Sequence, residues 1–230
     1  MHDHHPTGHA HASPPDWPDT TDPVEFWDGM YESRDQVWSG RPNAGLVDEV
    51  AGLTPGRALD LGCGEGGDAI WLAEQGWSVL GVDVSHTALR RTEEHARERG
   101  VGDRVRTEHH DLAQSFPEGE FDLVVAPFLQ SPLDFPTDVV LRRASRALAP
   151  GGRLVVVSHG EAPPWAPEQV KEAVFPTVEG TLAALHLDED GASAGDWTVQ
   201  TAELRARQVT TPDGHPGELV DLVVHVVRGT

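Results

Sequence analysis

Acids and glycines stand at the spacing of a ligand-binding turn in the stretch ALDLGCGEGGD, residues 58 to 68. Ala58, Leu59 and Leu61 supply the apolar run of a buried strand. Gly62, Gly64 and Gly66 let the backbone come close to a ligand at the start of the next helix, where a side chain would block it. Asp83 ends a second strand-like run, 21 residues after Gly62. At that spacing a carboxylate can hold the hydroxyls of a ribose. Together these residues point to a bound nucleoside.

Charge separates the candidate nucleosides. Gly62, Gly64 and Gly67 also satisfy the G-x-G-x-x-G pattern of dinucleotide folds. A dinucleotide sets a pyrophosphate on this loop, and Asp60, Glu65 and Asp68 would repel it. No Lys or Arg occurs between Arg57 and Arg90 to offset them. S-adenosylmethionine presents a sulfonium and an ammonium instead, which carboxylates favour. The acidic loop therefore selects S-adenosylmethionine over a nicotinamide dinucleotide.

From Asp60 onward the chain resembles the class I S-adenosylmethionine-dependent methyltransferases, whose first motif is an acid followed by x-G-x-G-x-G. Asp60, Gly62, Gly64 and Gly66 match it, with Cys63 inside the turn. The resemblance implies that Asp83, followed by Val84, holds the ribose, and that Asp111 and Leu112 of HHDLAQSF lie beside the adenine. FDLVVAPF, with Ala126 near its end, corresponds to the fourth strand, and LAPGGRLVVVSHG to the turn and fifth strand. These elements occur in order between about residues 42 and 160. The family's amino-terminal cap corresponds to FWDGMYESRDQVWSGRPN, in which Trp38 and Arg41 would reach the methionyl end of the cofactor. The wider pattern is similar to the tellurite-resistance and thiopurine-methyltransferase-like branch, which implies methylation of a small thiol or chalcogen nucleophile.

Methyl transfer is an in-line displacement at a carbon already activated by the sulfonium, so the protein mainly aligns the nucleophile and excludes water. A base is least needed for a thiol. For a hydroxyl, His159 is the candidate, because it follows the fifth strand directly; His109, His110 and Asp134 are further candidates. The fourth strand ends in Ala126-Pro127-Phe128 and lacks the Asn/Asp-Pro-Pro-aromatic signature of enzymes acting on amide or nucleobase nitrogens. Trp165 could form a substrate wall or simply pack.

The elements that must position these residues alternate between strand and helix, which argues a Rossmann-like, doubly wound α/β fold. The expectation is a mostly parallel seven-stranded sheet with an antiparallel last strand. Residues 1 to 22 read as a mobile tail, with His2, His4, His5, His9 and His11 crowded at its start. Residues 23 to 230 then form the domain, and 23 to 43 its aromatic cap. Pro42 should start a helix carrying Leu46, Val47 and Val50. Ser85 can cap another running to Gly100. Thr137 to Ala149 reads as a helix before a Pro150-Gly151-Gly152 turn. A partly helical stretch, 167 to 187, should break at Pro176 and Gly180. Trp197 to Thr210 and Leu219 to Val227 read as a closing hairpin.

Length and charge bound what this fold can serve. The 230 residues suit one domain. With 38 acidic against 17 basic residues the formal charge is −21, which disfavours nucleic acid and anionic membranes. Cys63 is the only cysteine, so an intramolecular disulfide is impossible, and it reads as packing. No fixed Cys/His spacing supports a closed metal site. No apolar run approaches a membrane span, and a soluble cytoplasmic protein with a small-molecule methyl acceptor is expected. Three alternatives stand beside a thiol acceptor: an O- or N-methyltransferase of a secondary metabolite, a nicotinamide-dependent oxidoreductase, and a metal-handling protein acting through its His-rich tail.

Overall fold

A computed structural model describes residues 18 to 185 and 197 to 230; the His-rich stretch and the end of the 167 to 187 segment lie outside the described residues. Seven strands form one sheet: β1 (Arg57–Leu61), β2 (Ser78–Asp83), β3 (Val105–His109), β4 (Phe121–Pro127), β5 (Leu148–His159), β6 (Trp197–Thr210) and β7 (Pro216–Arg228). Their order is β3-β2-β1-β4-β5-β7-β6. Only β7 runs against its neighbours, inserted between β5 and β6. The expected mostly parallel sheet with its antiparallel last strand is what the chain forms.

The central strands are runs of Val, Leu and Ala because both of their faces are covered. One face packs on α2 (Ala44–Val50), α3 (Gly67–Glu74) and α4 (His86–Glu98), with Leu46, Leu72 and Ala96 among the buried contacts. The other packs on α5 (Thr137–Arg146) and, beyond the short α6 (Glu168–Lys171), on α7 (Val178–Ala184), through Val140, Leu141 and Ala184. Side-chain caps fix the helix starts: Asn43 accepts from Leu46 N, Ser85 from Ala88 N, and Asp22 from Glu25 N of α1 (Pro23–Glu32). The chain reverses direction across the sheet between β1 and β4, and the crevice at their carboxyl ends is where such folds bind ligands.

Three local expectations are corrected. The helix before residue 150 ends at Arg146, and Pro150 to Gly152 lies inside β5 as an irregularity in its pairing with β4. A Cβ at Gly152 would meet Ala149 O at 2.7 Å and Phe121 O at 2.9 Å, so only glycine lets the strands close there. Gly180 sits within α7 rather than breaking it. Asn43, not Pro42, opens the second helix.

Candidate functional site

The loop from β1 to α3 crosses the carboxyl end of the sheet with left-handed backbone at Gly62, Gly64 and Gly66, whose φ values are 71°, 55° and 87°. At Gly66 a Cβ would also come within 2.9 Å of the Thr92 side chain. The loop is fixed to β2 by hydrogen bonds from Gly62 N and Cys63 N to Val82 O. Asp83, buried at the end of β2, accepts from Gly64 N and Ser85 N at 2.9 Å each. Its carboxylate is thus oriented, with lone pairs left for hydroxyl donors. Cys63 turns its thiol into the sheet beside Gly81, and burial pushes that thiol up; it packs, as expected.

Asp60 is the unusual member. It is 1% exposed, and its Oδ2 has no hydrogen-bond partner among the described residues. Burial, reinforced by Asp68 and Asp83, raises its pKa well above the ordinary carboxylate range. Asp68 is raised to about 6 by burial. A buried carboxylate with one oxygen unpartnered, beside two other acids, is costly to ionise unless a cation sits against it. The donor set therefore fits an ammonium, and the glycine turn beside it fits a close-lying nucleoside.

Glu65 and Asp68, the other two acids of the loop, are engaged by the cap. Glu65 Oε2 accepts from Val37 N at 3.0 Å and Trp38 N at 2.9 Å, while Oε1 takes Arg91 Nη1 at 2.7 Å. Asp68 accepts from Asn43 N at 2.6 Å. The two acids tie the cap onto the loop, and Arg91 supplies the offsetting charge. Trp38, 51% exposed, donates Nε1–H to Tyr31 Oη over Gly64. Arg41 is exposed, and its carbonyl lies beside Gly67.

At the opposite end of the crevice, Val84 is half-buried and Leu112 buried. Asp111 accepts from Ala113 N at 3.0 Å and Gln114 Nε2 at 2.6 Å. His109 stacks on His86 at 3.9 Å and meets Val84 O, so it belongs to this rim. His110 bonds Ser115, and Asp134 is exposed. Ala126 is fully buried in the core, which removes its side chain from ligand contact.

The mouth itself is reached at Phe128, which has φ 50°, the only non-glycine left-handed residue among those described. Such strain clusters at functional sites. The Phe128 ring lies 4.4 Å from that of His159. Asp221 of β7 is opposite His159 in register, with Oδ1 3.9 Å from His159 Nδ1. Asp221 is 2% exposed, its Oδ1 has no hydrogen-bond partner among the described residues, and Arg207 of β6 pairs with its other oxygen. Burial lowers the His159 pKa; Asp221 pulls it up and Arg207 lowers it further. His159 is therefore neutral near pH 7, with a carboxylate behind it.

Sequence reasoning missed Asp221 and Arg207. The available signal was ELVDLVVHVV, in which Asp221 and His225 share one face of a strand otherwise apolar. It also gave no hint of an open cavity of about 550 Å³ between Pro18 to Thr21, Phe26 and the Pro132–Leu133 loop after β4. Trp165, 38% exposed, lies against Gly217 in the hairpin. No helix among the described residues is long and apolar enough to cross a membrane.

Residues 58 to 152 match the family described as a methyltransferase domain. The 27-O-demethylrifamycin SV methyltransferase of Amycolatopsis mediterranei is 36% identical over 152 residues, which are 63% of this chain and 55% of that protein. A ribosomal RNA small subunit methyltransferase C from Alcanivorax borkumensis is 32% identical over 158 residues, covering 61% of this chain and 48% of that one. The chain thus spans about half the length of these curated relatives. Among solved structures, one described as conversion of a disulfide bond into a thioacetal group during echinomycin biosynthesis shares the fold with a TM-score of 0.66. It is 24% identical, and the match covers 90% of this chain and 93% of that one.

Proposed function

The chain belongs to the class I S-adenosylmethionine-dependent methyltransferases, and from that premise we propose that it methylates a hydroxyl of a small organic acceptor. The observation that carries this reading is His159 backed by the buried, half-unpartnered Asp221 at the end of β5. S-adenosylmethionine supplies an electrophilic methyl group on a sulfonium. Asp60 would hold its ammonium, Asp83 its ribose hydroxyls, and Asp111 with Leu112 its adenine.

His159 turns Nδ1 toward Asp221, which leaves Nε2 for the acceptor. His159 would hold the acceptor hydroxyl in line with the methyl group that the bound cofactor supplies. The hydroxyl proton goes to His159 Nε2, and Asp221 stabilises the imidazolium that forms. Phe128 and the cap exclude water from that mouth. The acceptor would enter by the cavity between Phe26 and Leu133.

The formal charge of −21 supports a small acceptor over the RNA of one relative, since polynucleotide binding rests on Lys and Arg. The O-methyl transfer named for the rifamycin relative agrees with a hydroxyl. A thiol or chalcogen acceptor is the second reading, favoured by the apolar Ala126–Pro127–Phe128 exit of β4. Screening phenols, alcohols and thiols with wild type and His159→Ala decides between them. Loss of about 100-fold or more in kcat supports the hydroxyl reading, and a spared thiol activity supports the second.

A further inference from the structure

β6 is the outer strand of the sheet, and among the described residues no strand pairs with its free side. A long exposed edge invites pairing unless it is guarded. Its backbone and its sequence together say what fits it. Val220 O accepts from Gly160 N at 2.9 Å, so the Val220 main chain faces β5, away from β6. Ala206 is opposite Val220, and in an antiparallel ladder such a residue turns its own N–H and C=O outward. Alternation carries the same orientation to Leu204 and Ala202.

Apart from Thr201 and Arg207, the side chains pair as like with like or as opposite charges in both directions from Leu204. Glu203 and Arg205 flank it, then Ala202 and Ala206, and farther out Gln200 and Gln208, Val199 and Val209, Thr198 and Thr210. We propose that two copies of this chain join edge to edge through β6, antiparallel, about a two-fold axis at Leu204. In that register Leu204 faces itself, Ala202 faces the partner's Ala206, and Glu203 faces the partner's Arg205. Edge charges usually repel a second strand; here the two-fold axis sets each against its opposite. Arg205 Nε already binds Glu203 at 2.9 Å, so two such pairs meet at the axis.

The outward pairs over 202 to 206 supply about six backbone hydrogen bonds. Leu204 is 56% exposed and Val199 48%, an apolar edge left uncovered by the described residues. The irregularity between Val199 and Thr201 ends the regular ladder, which confines the pairing to residues 201 to 207. Arg207, which pairs with Asp221 behind His159, stands inside this segment. The assembly would therefore brace the strand behind the transfer site.

Sedimentation velocity on the full chain at tens of micromolar tests the proposal. The expected mass is twice 24.9 kDa. Ala206→Pro removes an outward N–H and leaves the β7 ladder intact, so it should yield a monomer with unchanged cofactor binding. Leu204→Cys should cross-link two chains on oxidation, because only residue 204 stands opposite itself, whereas Gln208→Cys should not. A monomeric wild type, a dimeric Ala206→Pro variant, or cross-linking through 208 rather than 204 would each overturn it.

Discussion

Asp60→Asn should move cofactor affinity and ligand-free stability in opposite directions. Asparagine keeps the acceptor that takes the Ala69 N–H, and it replaces the unpartnered Oδ2 with a neutral group. Burial raises the Asp60 pKa, so above the ordinary carboxylate range this group opposes folding. Each tenfold by which burial disfavours its ionisation costs the folded state about 1.4 kcal/mol. Removing the charge should raise Tm by about 3–6 °C for every such 1.4 kcal/mol in a domain of this size. The same change deletes a charge-assisted hydrogen bond to an ammonium, worth about 1.5–3 kcal/mol. That weakens S-adenosylmethionine by about 10- to 150-fold. Calorimetric titration and scanning calorimetry at pH 7.5 read the two effects. A variant that binds like wild type, or one that both binds weakly and melts lower, would refute the assignment of Asp60 as a cation site.

Other consequences follow from the neighbouring groups. Asp68, with a folded pKa of about 6 against an ordinary 3.8, holds its proton more tightly when folded. Ligand-free stability from this group is therefore greatest below pH 4 and falls by about 3 kcal/mol as pH rises to 6. Cofactor affinity should climb through that same window, and Asp68→Asn should flatten the climb in titrations at pH 5 and 7. Glu65→Ala strands Arg91, whose side chain is only 15% exposed, and frees the cap. That should cost about 3 kcal/mol in chemical denaturation. Asp221→Asn leaves His159 without its carboxylate: kcat on a hydroxyl acceptor should fall about 10-fold or more while the cofactor Kd stays constant. Because the His159 pKa is lowered, wild-type kcat/KM should lose its acid limb only below the ordinary histidine range.

What the sequence disclosed about this molecule was mostly local. The glycine turn, the acid ending β2 and the Ser85 cap are all set by neighbours a few residues away, and each stands where its spacing places it. Charge on the loop was legible as composition but not as geometry. Glu65 meets Val37 and Trp38 across 28 and 27 positions of chain, and that pairing makes a loop charge into a clamp on the cap. The His159–Asp221 contact depends on β7 inserting between β5 and β6, which hairpin signals alone do not specify. Ala126 reads from sequence as a residue of the mouth, yet β4 runs on to Pro127 and the strained Phe128 forms the rim.

Calorimetric titration of the wild-type chain with S-adenosylmethionine, S-adenosylhomocysteine and NAD in parallel reads which ligand the acidic glycine turn accepts. Both adenosyl ligands should bind at micromolar concentration, and NAD should not bind. Binding of NAD alone would contradict the cation site, because the buried Asp60 carboxylate would then sit beside a pyrophosphate.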